Sequence, residues 1–402
     1  GNTVGGTTDV ANSGLFTTAD NADMIVMGQF TQDGTGSSRL GGDLTASAGM
    51  DFASAIALIG TDAVTLVTSG AAGQDIVLGT DATTDITGSG QALTLDAGTA
   101  GDITIEGDVG TAGSALGAIT IVGADQVLFD ETVTAASFTQ NAANPSTGLT
   151  TFDGAVDVSG DFEFTGYGLT FNDTVVVGGD VGISNAGGLL MAADGNVSAG
   201  GSFVQDGDGE FRIAASDLAA TQNISLTGAT VIANDVTLRA RQISIETSLN
   251  SAVDGFYALT LNAQDLIDLG ALVGQSARLG SLVTGSTGEI VIDSTLVSTT
   301  GNQLYQVPLT FTQGNLTSPL VLASQSGDID FRSTVSAGVN SKASQRSLSV
   351  SAPAGNVYIR DQIGVSLVGV AFGDYVGTTG INPWGLTVSA SDIWLYADVT
   401  TF

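Results

Sequence analysis

Residues 156–183 read VDVSGDFEFTGYGLTFNDTVVVGGDVGI. Apolar residues occur there in pairs that flank one residue, and the pairs are Val156/Val158, Phe162/Phe164, Leu169/Phe171, Val175/Val177 and Val181/Ile183. Residues two apart lie on the same face of an extended strand, so each pair faces one way and the flanked residue, such as Asp157 or Glu163, faces the other. The pairs recur every six or seven residues, and Gly, Asp or Asn fills most of the gaps.

This spacing leaves room for a short strand and a tight bend, but not for helices or ordinary hairpins. It predicts an all-β fold, a parallel β-solenoid with short strands and Gly/Asp/Asn turns, in which the inward pairs of successive coils stack into one core. A string of β-sandwich domains is the alternative all-β architecture. Its turn signals come every 8–12 residues or so, which is a longer period than the one observed here.

The composition of the 402-residue chain favours the same architecture. Gly occurs 56 times, whereas Glu occurs six times and Lys once, so two good helix formers are scarce. The chain contains no Cys and no His. Disulfides and thiol chemistry are therefore excluded, together with the commonest general base and transition-metal ligand. No apolar run approaches the ~20 residues of a membrane-spanning helix, so membrane insertion is not expected.

The charge is strongly one-sided, with 41 acidic and nine basic residues and a formal net charge of −32. Nucleic acid binding requires a basic surface, so no nucleic acid partner is expected. An anionic membrane would repel the chain. Arg239 and Arg241 are close together, and their spacing places them on one face of a strand. We interpret the acidity first as a soluble, self-repelling surface and second as Asp-lined turns that bind divalent cations.

The densest acidic stretch is Gln205–Glu210, which reads QDGDGE. It is similar to the start of a calcium loop, but the helix-hand calcium loop has Gly at its sixth position, where this chain has Phe211. An exposed acidic turn is the first interpretation. A low-affinity calcium site formed by Asp206, Asp208 and Glu210 is the second, and no other cofactor is expected.

The sequence predicts no catalytic residues. Glycoside hydrolysis requires two carboxylates at a set separation, but the acidic residues here fall singly near bends, where Asp hydrogen-bonds its own backbone. A Ser or Thr nucleophile without His would require a Lys partner, and Lys342 lies in a Ser-containing stretch that reads as a loop. The chain is therefore not expected to be an enzyme. A carbohydrate-active β-helix enzyme, a polysaccharide hydrolase or lyase, is the alternative, as is a carbohydrate-binding adhesin.

A short phrase, Phe-Thr-Gln or Phe-Val-Gln, begins at Phe30, Phe138, Phe203 and Phe311, at intervals of 108, 65 and 108 residues. We predict that these four aromatic side chains are buried at similar places in the coil cross-section. The phrase divides the chain into lead-in coils at 1–29 and a continuous solenoid at 30–402. The repeat modules of this solenoid lie near 30–137, 138–202, 203–310 and 311–402.

A longer phrase begins Leu93-Thr94-Leu95-Asp96-Ala97 and continues through 103–105 and 116–121; it returns from Leu259, from Leu348 and, in part, from Leu386. Residues 398–402 read like the lead into another repeat, so we expect the chain to be a segment of a longer one. Together with Ala135-Ala136-Ser137-Phe138-Thr139-Gln140, these phrases resemble repeats of very large bacterial surface proteins of the filamentous-haemagglutinin-like and autotransporter-adhesin group. The resemblance covers most of residues 90–402. It implies a right-handed parallel β-helix, export to the cell surface, and a role in adhesion, matrix or surface coats.

The sequence thus predicts an extracellular or cell-surface structural protein, a β-solenoid segment of a filament, coat or adhesive stalk. The expected partners are further copies or repeats of the same chain, and surface glycans. Trp384, Trp394 and Tyr396 cluster near the end and are expected to pack in a coil, form a protein contact or stack on sugar. The strand-like stretch 393–396 is expected to abut another solenoid coil.

Overall fold

The computed structural model describes residues 2–69, 71–141, 147–285, 287–312, 319–337, 347–363 and 386–396. These residues form two compact units, Gly1–Gly209 and Glu210–Phe402. Strands make up 54% of the structure, and the described residues contain no helix, as the scarcity of Glu and Lys predicts. Both units are parallel β-solenoids, with about 14 turns in total. The predicted fold class is therefore confirmed, while the proposed module boundaries stay predictions.

The strands of the first unit are short, most of them of three to five residues. They are β1 Asn2–Val4, β2 Thr8–Asp9, β3 Phe16–Thr17, β4 Met24–Val26, β5 Phe30–Gln32, β6 Ser38–Leu40, β7 Leu44–Ala46, β8 Met50–Phe52, β9 Ile56–Leu58, β10 Val64–Val67, β11 Ile76–Leu78, β12 Ile86–Thr87, β13 Leu93–Asp96, β14 Ile103–Ile105, β15 Leu116–Gly123, β16 Val127–Phe129, β17 Val133–Gln140, β18 Leu149–Phe152, β19 Val156–Val158, β20 Phe162–Gly166, β21 Gly168–Phe171, β22 Val175–Val177, β23 Val181–Asn185, β24 Leu189–Met191, β25 Val197–Ala199 and β26 Phe203–Gln205.

The second unit contains longer strands as well, several of which bend and serve two sides of a coil. They are β27 Phe211–Ile213, β28 Asp217–Ala220, β29 Asn223–Leu226, β30 Ala229–Ile232, β31 Val236–Ile245, β32 Ser248–Ser251, β33 Ala258–Leu269, β34 Leu272–Val273, β35 Ser281–Thr284, β36 Glu289–Ile292, β37 Leu296–Thr299, β38 Gln303–Tyr305, β39 Leu309–Phe311, β40 Leu320–Ser324, β41 Ile329–Phe331, β42 Val335–Ala337, β43 Leu348–Ile359 and β44 Leu386–Leu395.

In each unit the strands pair in parallel with the equivalent strand one coil away, which produces three stacks around a core. In the first unit, stack A runs β2–β5–β8–β11–β14–β16–β18–β21–β24. Stack B runs β1–β4–β7–β10–β13–β15–β17–β20–β23–β26. Stack C contains β3, β6, β9 and β12 and, further along the chain, the first half of β17 with β19, β22 and β25.

The second unit has the same three-sided plan. Stack D runs β27–β30–β32–β34–β37–β40 and continues into the first halves of β43 and β44. Stack E runs through β28, β31, β33, β35, β38, β41 and the second halves of β43 and β44. Stack F runs through β29, the second halves of β31 and β33, and β36, β39 and β42. The long phrases from Leu348 and Leu386 lie directly over each other in this arrangement.

The burial of residues 156–183 confirms the predicted alternation of inward and outward side chains. All ten members of the apolar pairs are at most 2% exposed. The flanked residues Asp157 and Glu163 are exposed, and Val176 is 51% exposed between two buried valines. Parallel pairing places each pair over the pair one coil away, for example Val156 and Val158 over Val175 and Val177.

Aromatic side chains stack along the coils inside the first unit. Phe138 and Phe162 stack with ring centres 4.7 Å apart, and Phe129 and Phe152 stack at 4.8 Å. These distances match the strand spacing of ~4.8 Å, so an aromatic residue at an equivalent place in each coil contacts its neighbours continuously.

The four phenylalanines of the short phrase are all 0% exposed, so their predicted burial is confirmed. Their predicted equivalence is only partly correct. Phe138 and Phe203 both lie in stack B, but Phe30 lies in stack A. The 65 residues from Phe138 to Phe203 return the chain to the same stack, whereas the 108 residues from Phe30 to Phe138 do not, because the spacing of phrases does not follow the length of the coils.

Candidate functional site

Asp and Asn side chains connect successive coils at their corners. The Oδ1 atom of Asp161 accepts a hydrogen bond from the backbone N–H of Asp180 at 2.9 Å, and Asp180 accepts one from Ser202 at 2.6 Å. The same bond to the next coil is made by Asp23, Asp43, Asp75, Asp102, Asp108, Asn250, Asp235, Asp254, Asn302 and Asp328. We call these contacts coil braces.

The coil braces correct part of the prediction that the aspartates near bends hydrogen-bond their own local backbone. Bonds to its own local backbone do occur, as at Asp81, which accepts from Thr83, and at Asp96, which accepts from Gly98. The braces, however, reach residues 19 to 28 positions further along the chain. Many of the acidic residues therefore hold one coil to the next, rather than only stabilising the turn in which they lie.

Glu163 lies on the outer face of β20 near several of these carboxylates. Partial burial raises the pKa of Glu163, and the negative charges of Asp161, Asp180 and Asp206 raise it further. An acid whose pKa is raised by folding binds its proton more tightly in the folded state. Its ionisation therefore costs stability at neutral pH, and this cost disappears below the ordinary glutamate pKa of about 4.3.

We expect Glu163→Gln to be more stable than the wild type at pH 7, by up to about 1 kcal/mol because the group is largely solvated. The difference should shrink towards zero as the pH falls to about 4. Urea unfolding followed by circular dichroism over this pH range measures it. Asp157→Asn, which removes one charge from the outer face of β19, is the control for net charge. A gain in Glu163→Gln that does not depend on pH would contradict the assignment.

Gln205, the first residue of the acidic stretch at 205–210, holds a corner of the coil through its side-chain amide. The side chain of Gln205 is buried, and its Nε2 donates to Asn185 Oδ1 and to the Gly207 carbonyl oxygen, both at 2.8 Å. Asn185 Nδ2 donates to the Gly187 carbonyl oxygen at 2.6 Å. We call this arrangement an amide corner, because stacked Asn and Gln side chains satisfy the backbone of two adjacent turns.

A second amide corner is present at Gln32, which has the similar sequence Gln-Asp-Gly-Thr-Gly. Gln32 Nε2 donates to Asn12 Oδ1 at 2.7 Å and to the carbonyl oxygens of Gly34 and Gly36 at 3.0 Å. The two corners lie in different stacks, so the motif is a self-contained way to turn the chain. The Phe-x-Gln phrase recurs visibly in the sequence, but the Asn that lies 20 residues before each of these two Gln residues was not predicted as its partner.

Asp206 and Asp208 are exposed, and they line a shallow cavity of about 230 Å³ together with Thr165 and Ser184. Glu210 is also exposed and is the first residue of the second unit. Among the described residues, no group of three or more carboxylates lies close enough to hold a metal ion. Binding of calcium by Asp206, Asp208 and Glu210 stays a prediction.

The strongest candidate for a ligand site lies on the outer side of stack E in the second unit. Asp330 is 9% exposed, and its carboxylate forms ion pairs with two arginines. Arg360 Nε lies 2.7 Å from Asp330 Oδ1, and Arg332 Nε lies 3.1 Å from Asp330 Oδ2. The hydrogen bond that Arg360 Nε donates to Asp330 is the main reason why the pKa of Arg360 is raised.

Two aromatic rings hold the same guanidinium group. The Cζ atom of Arg360 lies 5.1 Å from the ring centre of Tyr358 and 5.3 Å from that of Tyr396, which are cation–π distances. Trp394 is paired in register with Tyr358 one coil away and is 49% exposed. We call Asp330, Arg332, Tyr358, Arg360, Trp394 and Tyr396 the arginine–tyrosine face.

A cavity of about 270 Å³ adjoins this face and is lined by Asn302, Gln303, Leu304, Asp328, Asp330, Arg332, Tyr358 and Arg360. Its volume is slightly below the range of ~300–1,000 Å³ that is usual for ligand pockets. The lining combines guanidinium, carboxylate and amide groups with one aromatic ring. It can therefore offer both donors and acceptors to a polar ligand.

Trp394 and Tyr396 were predicted from the sequence as an aromatic cluster, whereas the other residues of this face were not predicted. Asp330 and Arg332, Tyr358 and Arg360, and Trp394 and Tyr396 are each two apart, so each pair points outward from its strand. This recurrence of outward polar and aromatic residues two apart is the sequence pattern from which the face could have been predicted. Trp384, Lys342, Gln313 and residues 397–402 lie outside the described residues.

Other arginines of the second unit form exposed ion pairs between coils. Arg239 and Arg241 both face outward, as their spacing predicts, and pair with Asp217 at 2.6 Å and Asp265 at 2.5 Å. Among the residues that the structure describes, no helix is long and apolar enough to cross a membrane. Comparisons with family models, with curated proteins and with solved structures gave no match to the chain.

Proposed function

We propose that this chain is a non-catalytic structural protein of the bacterial cell surface, a β-solenoid segment of a filament, coat or adhesive stalk. The observation that carries the proposal is the repeated connection of coil to coil. Each coil is joined to the next by parallel backbone pairing and, at many corners, by a coil brace. Such a design extends in one direction by adding further coils, as structural repeat proteins require.

The resemblance of the repeats to large bacterial surface proteins supports an extracellular location. The acidic outer surface supports it as well, because a net charge of −32 keeps an extended protein soluble and limits bundling of its sides. Side-by-side association would then depend on salt or divalent cations that screen these charges.

We further propose that the coil formed by β44 is covered by another solenoid coil, from a second copy or from further repeats. Ile393 and Leu395 continue the inward columns of Val357 and Ile359. Val357 and Ile359 are at most 1% exposed, whereas Ile393 and Leu395 are 48% and 58% exposed. Head-to-tail contact between copies at this surface is heterologous and does not close, so it produces fibres rather than dimers.

The test is negative-stain electron microscopy of the purified chain, combined with light scattering. We expect filaments or long rods, and we expect Leu395→Asp to shorten them because it places a charge in an apolar contact. Thr387→Asp adds the same charge at an exposed, outward position of β44 and should leave the filaments unchanged. A compact monomer of the 402-residue chain with native circular dichroism would overturn the proposal of self-assembly.

A further inference from the structure

The outer side of stack E carries three parallel columns of side chains. The strand register aligns Asp328 with Asn356 and Asp392 in one column, and Asp330 with Tyr358 and Trp394 in the next. Arg332, Arg360 and Tyr396 follow these strands and form the third column, because each of their backbone N–H groups bonds to the preceding coil. Successive rungs lie ~4.8 Å apart, so polar and aromatic groups are arrayed along the direction in which a polymer would lie.

The guanidinium group of Arg360 is fixed before any ligand arrives. The Asp330 carboxylate holds its Nε atom at 2.7 Å, and the rings of Tyr358 and Tyr396 lie on the cation. Asp330 in turn is held by Arg332. Within the described part of the chain, these hydrogen bonds use the Nε atoms of the two arginines and leave their terminal Nη groups available as donors. A donor fixed in this way loses little conformational freedom on binding.

We propose that the arginine–tyrosine face and its cavity bind a neutral saccharide chain. The exposed rings of Trp394 and Tyr396 offer flat apolar surfaces against which the C–H face of a sugar ring packs. The arginine Nη groups donate to sugar hydroxyls, and the Asp328 and Asn302 side chains at the cavity wall accept from or donate to them. The proposal rests on the adhesive part of the proposed function and specifies its ligand.

The charge of the site favours a neutral rather than an acidic saccharide. Three carboxylates belong to the columns, those of Asp328, Asp330 and Asp392. Two cationic groups oppose them, those of Arg332 and Arg360. The surrounding protein carries a net charge of −32, so a uronic acid polymer would be repelled both locally and at longer range.

The experiment is isothermal titration calorimetry of the intact 402-residue chain with neutral hexasaccharides of glucose, mannose and N-acetylglucosamine, and with hexagalacturonate as the acidic comparison. We expect at least one neutral hexasaccharide to bind and hexagalacturonate not to bind. Trp394→Ala and Arg360→Ala should each weaken binding by about tenfold or more. Tyr167→Ala removes an exposed ring from the first unit and should leave the affinity unchanged.

Trp394 is half exposed, so its removal should not affect folding, and circular dichroism of each variant checks this. The proposal is overturned if none of the neutral hexasaccharides binds at millimolar concentration. It is also overturned if Trp394→Ala binds as the wild type does, or if hexagalacturonate binds more tightly than the neutral chains. Filaments seen in the microscope without saccharide binding would overturn this site and leave the structural proposal standing.

Discussion

Val177→Asp is expected to unfold the coils on either side of β22. Val177 is 1% exposed and is paired with Val158 in the preceding coil and Ala199 in the following one. A carboxylate at this place would be buried without a partner, which costs several kcal/mol, and we expect a loss of roughly 3–5 kcal/mol. In a solenoid each coil is stabilised by its neighbours, so the damage should spread to adjacent coils. Urea unfolding gives the free energy, and hydrogen exchange of β19, β22 and β25 locates the loss.

Val176→Asp is the matched control. It introduces the same side chain at the adjacent position of the same strand, where the native valine is 51% exposed. We expect a loss of at most about 1 kcal/mol, because the new carboxylate stays in solvent but lies opposite Asp157 of the preceding coil. Similar losses in the two variants would contradict the inward and outward assignment on which the solenoid interpretation depends.

Gly209→Ala should be the second most damaging substitution. A Cβ atom on Gly209 would overlap the carbonyl oxygen of Gly187 and crowd the amide of Asn185, both in the coil beneath. The backbone at Gly209 and the backbone of the coil beneath cannot move apart easily, because the Gly209 N–H donates to the Asn185 carbonyl oxygen at 3.0 Å. We expect a loss of about 3 kcal/mol, measured by urea unfolding, because overpacking here acts on backbone rather than on a flexible side chain.

Gly188→Ala provides the comparison, since a Cβ at Gly188 meets no atom within 4 Å. There the substitution should be neutral or stabilising by up to about 1 kcal/mol, because it restricts the unfolded chain. If Gly209→Ala proved as harmless as Gly188→Ala, the close stacking of turns at the amide corner would be wrong.

The sequence predicts well which residues form strands and point inward, but it predicts poorly which strands lie over each other in a stack. The pairs at 156–183 determine which residues point inward, because period-two alternation is a property of a single strand. Which strands lie over each other depends on coil length, which sequence periodicity does not fix. Phe30 and Phe138 share a phrase and are both buried, yet they lie in different stacks.

The candidate site illustrates the same limit. Trp394 and Tyr396 were visible in the sequence as a local aromatic cluster. Asp330 and Arg360, by contrast, lie 30 residues apart, and only the stacking of coils brings the arginine onto the carboxylate. The partners of the coil braces were unpredictable for the same reason, because a short acidic motif carries no information on the turn that lies above it.

The coil braces keep neighbouring coils aligned whatever the number of residues in each coil. Brace partners are 19 residues apart at Asp161 and Asp180 but 28 apart at Asp328 and Asn356, and the bonds have similar lengths of 2.9 and 2.7 Å. Segments between braced corners can therefore gain or lose residues without moving the strands out of register. During evolution such a chain can acquire insertions that carry new binding groups while its core is inherited unchanged. In engineering, the segments between braced corners are where foreign loops can be inserted with the least disturbance.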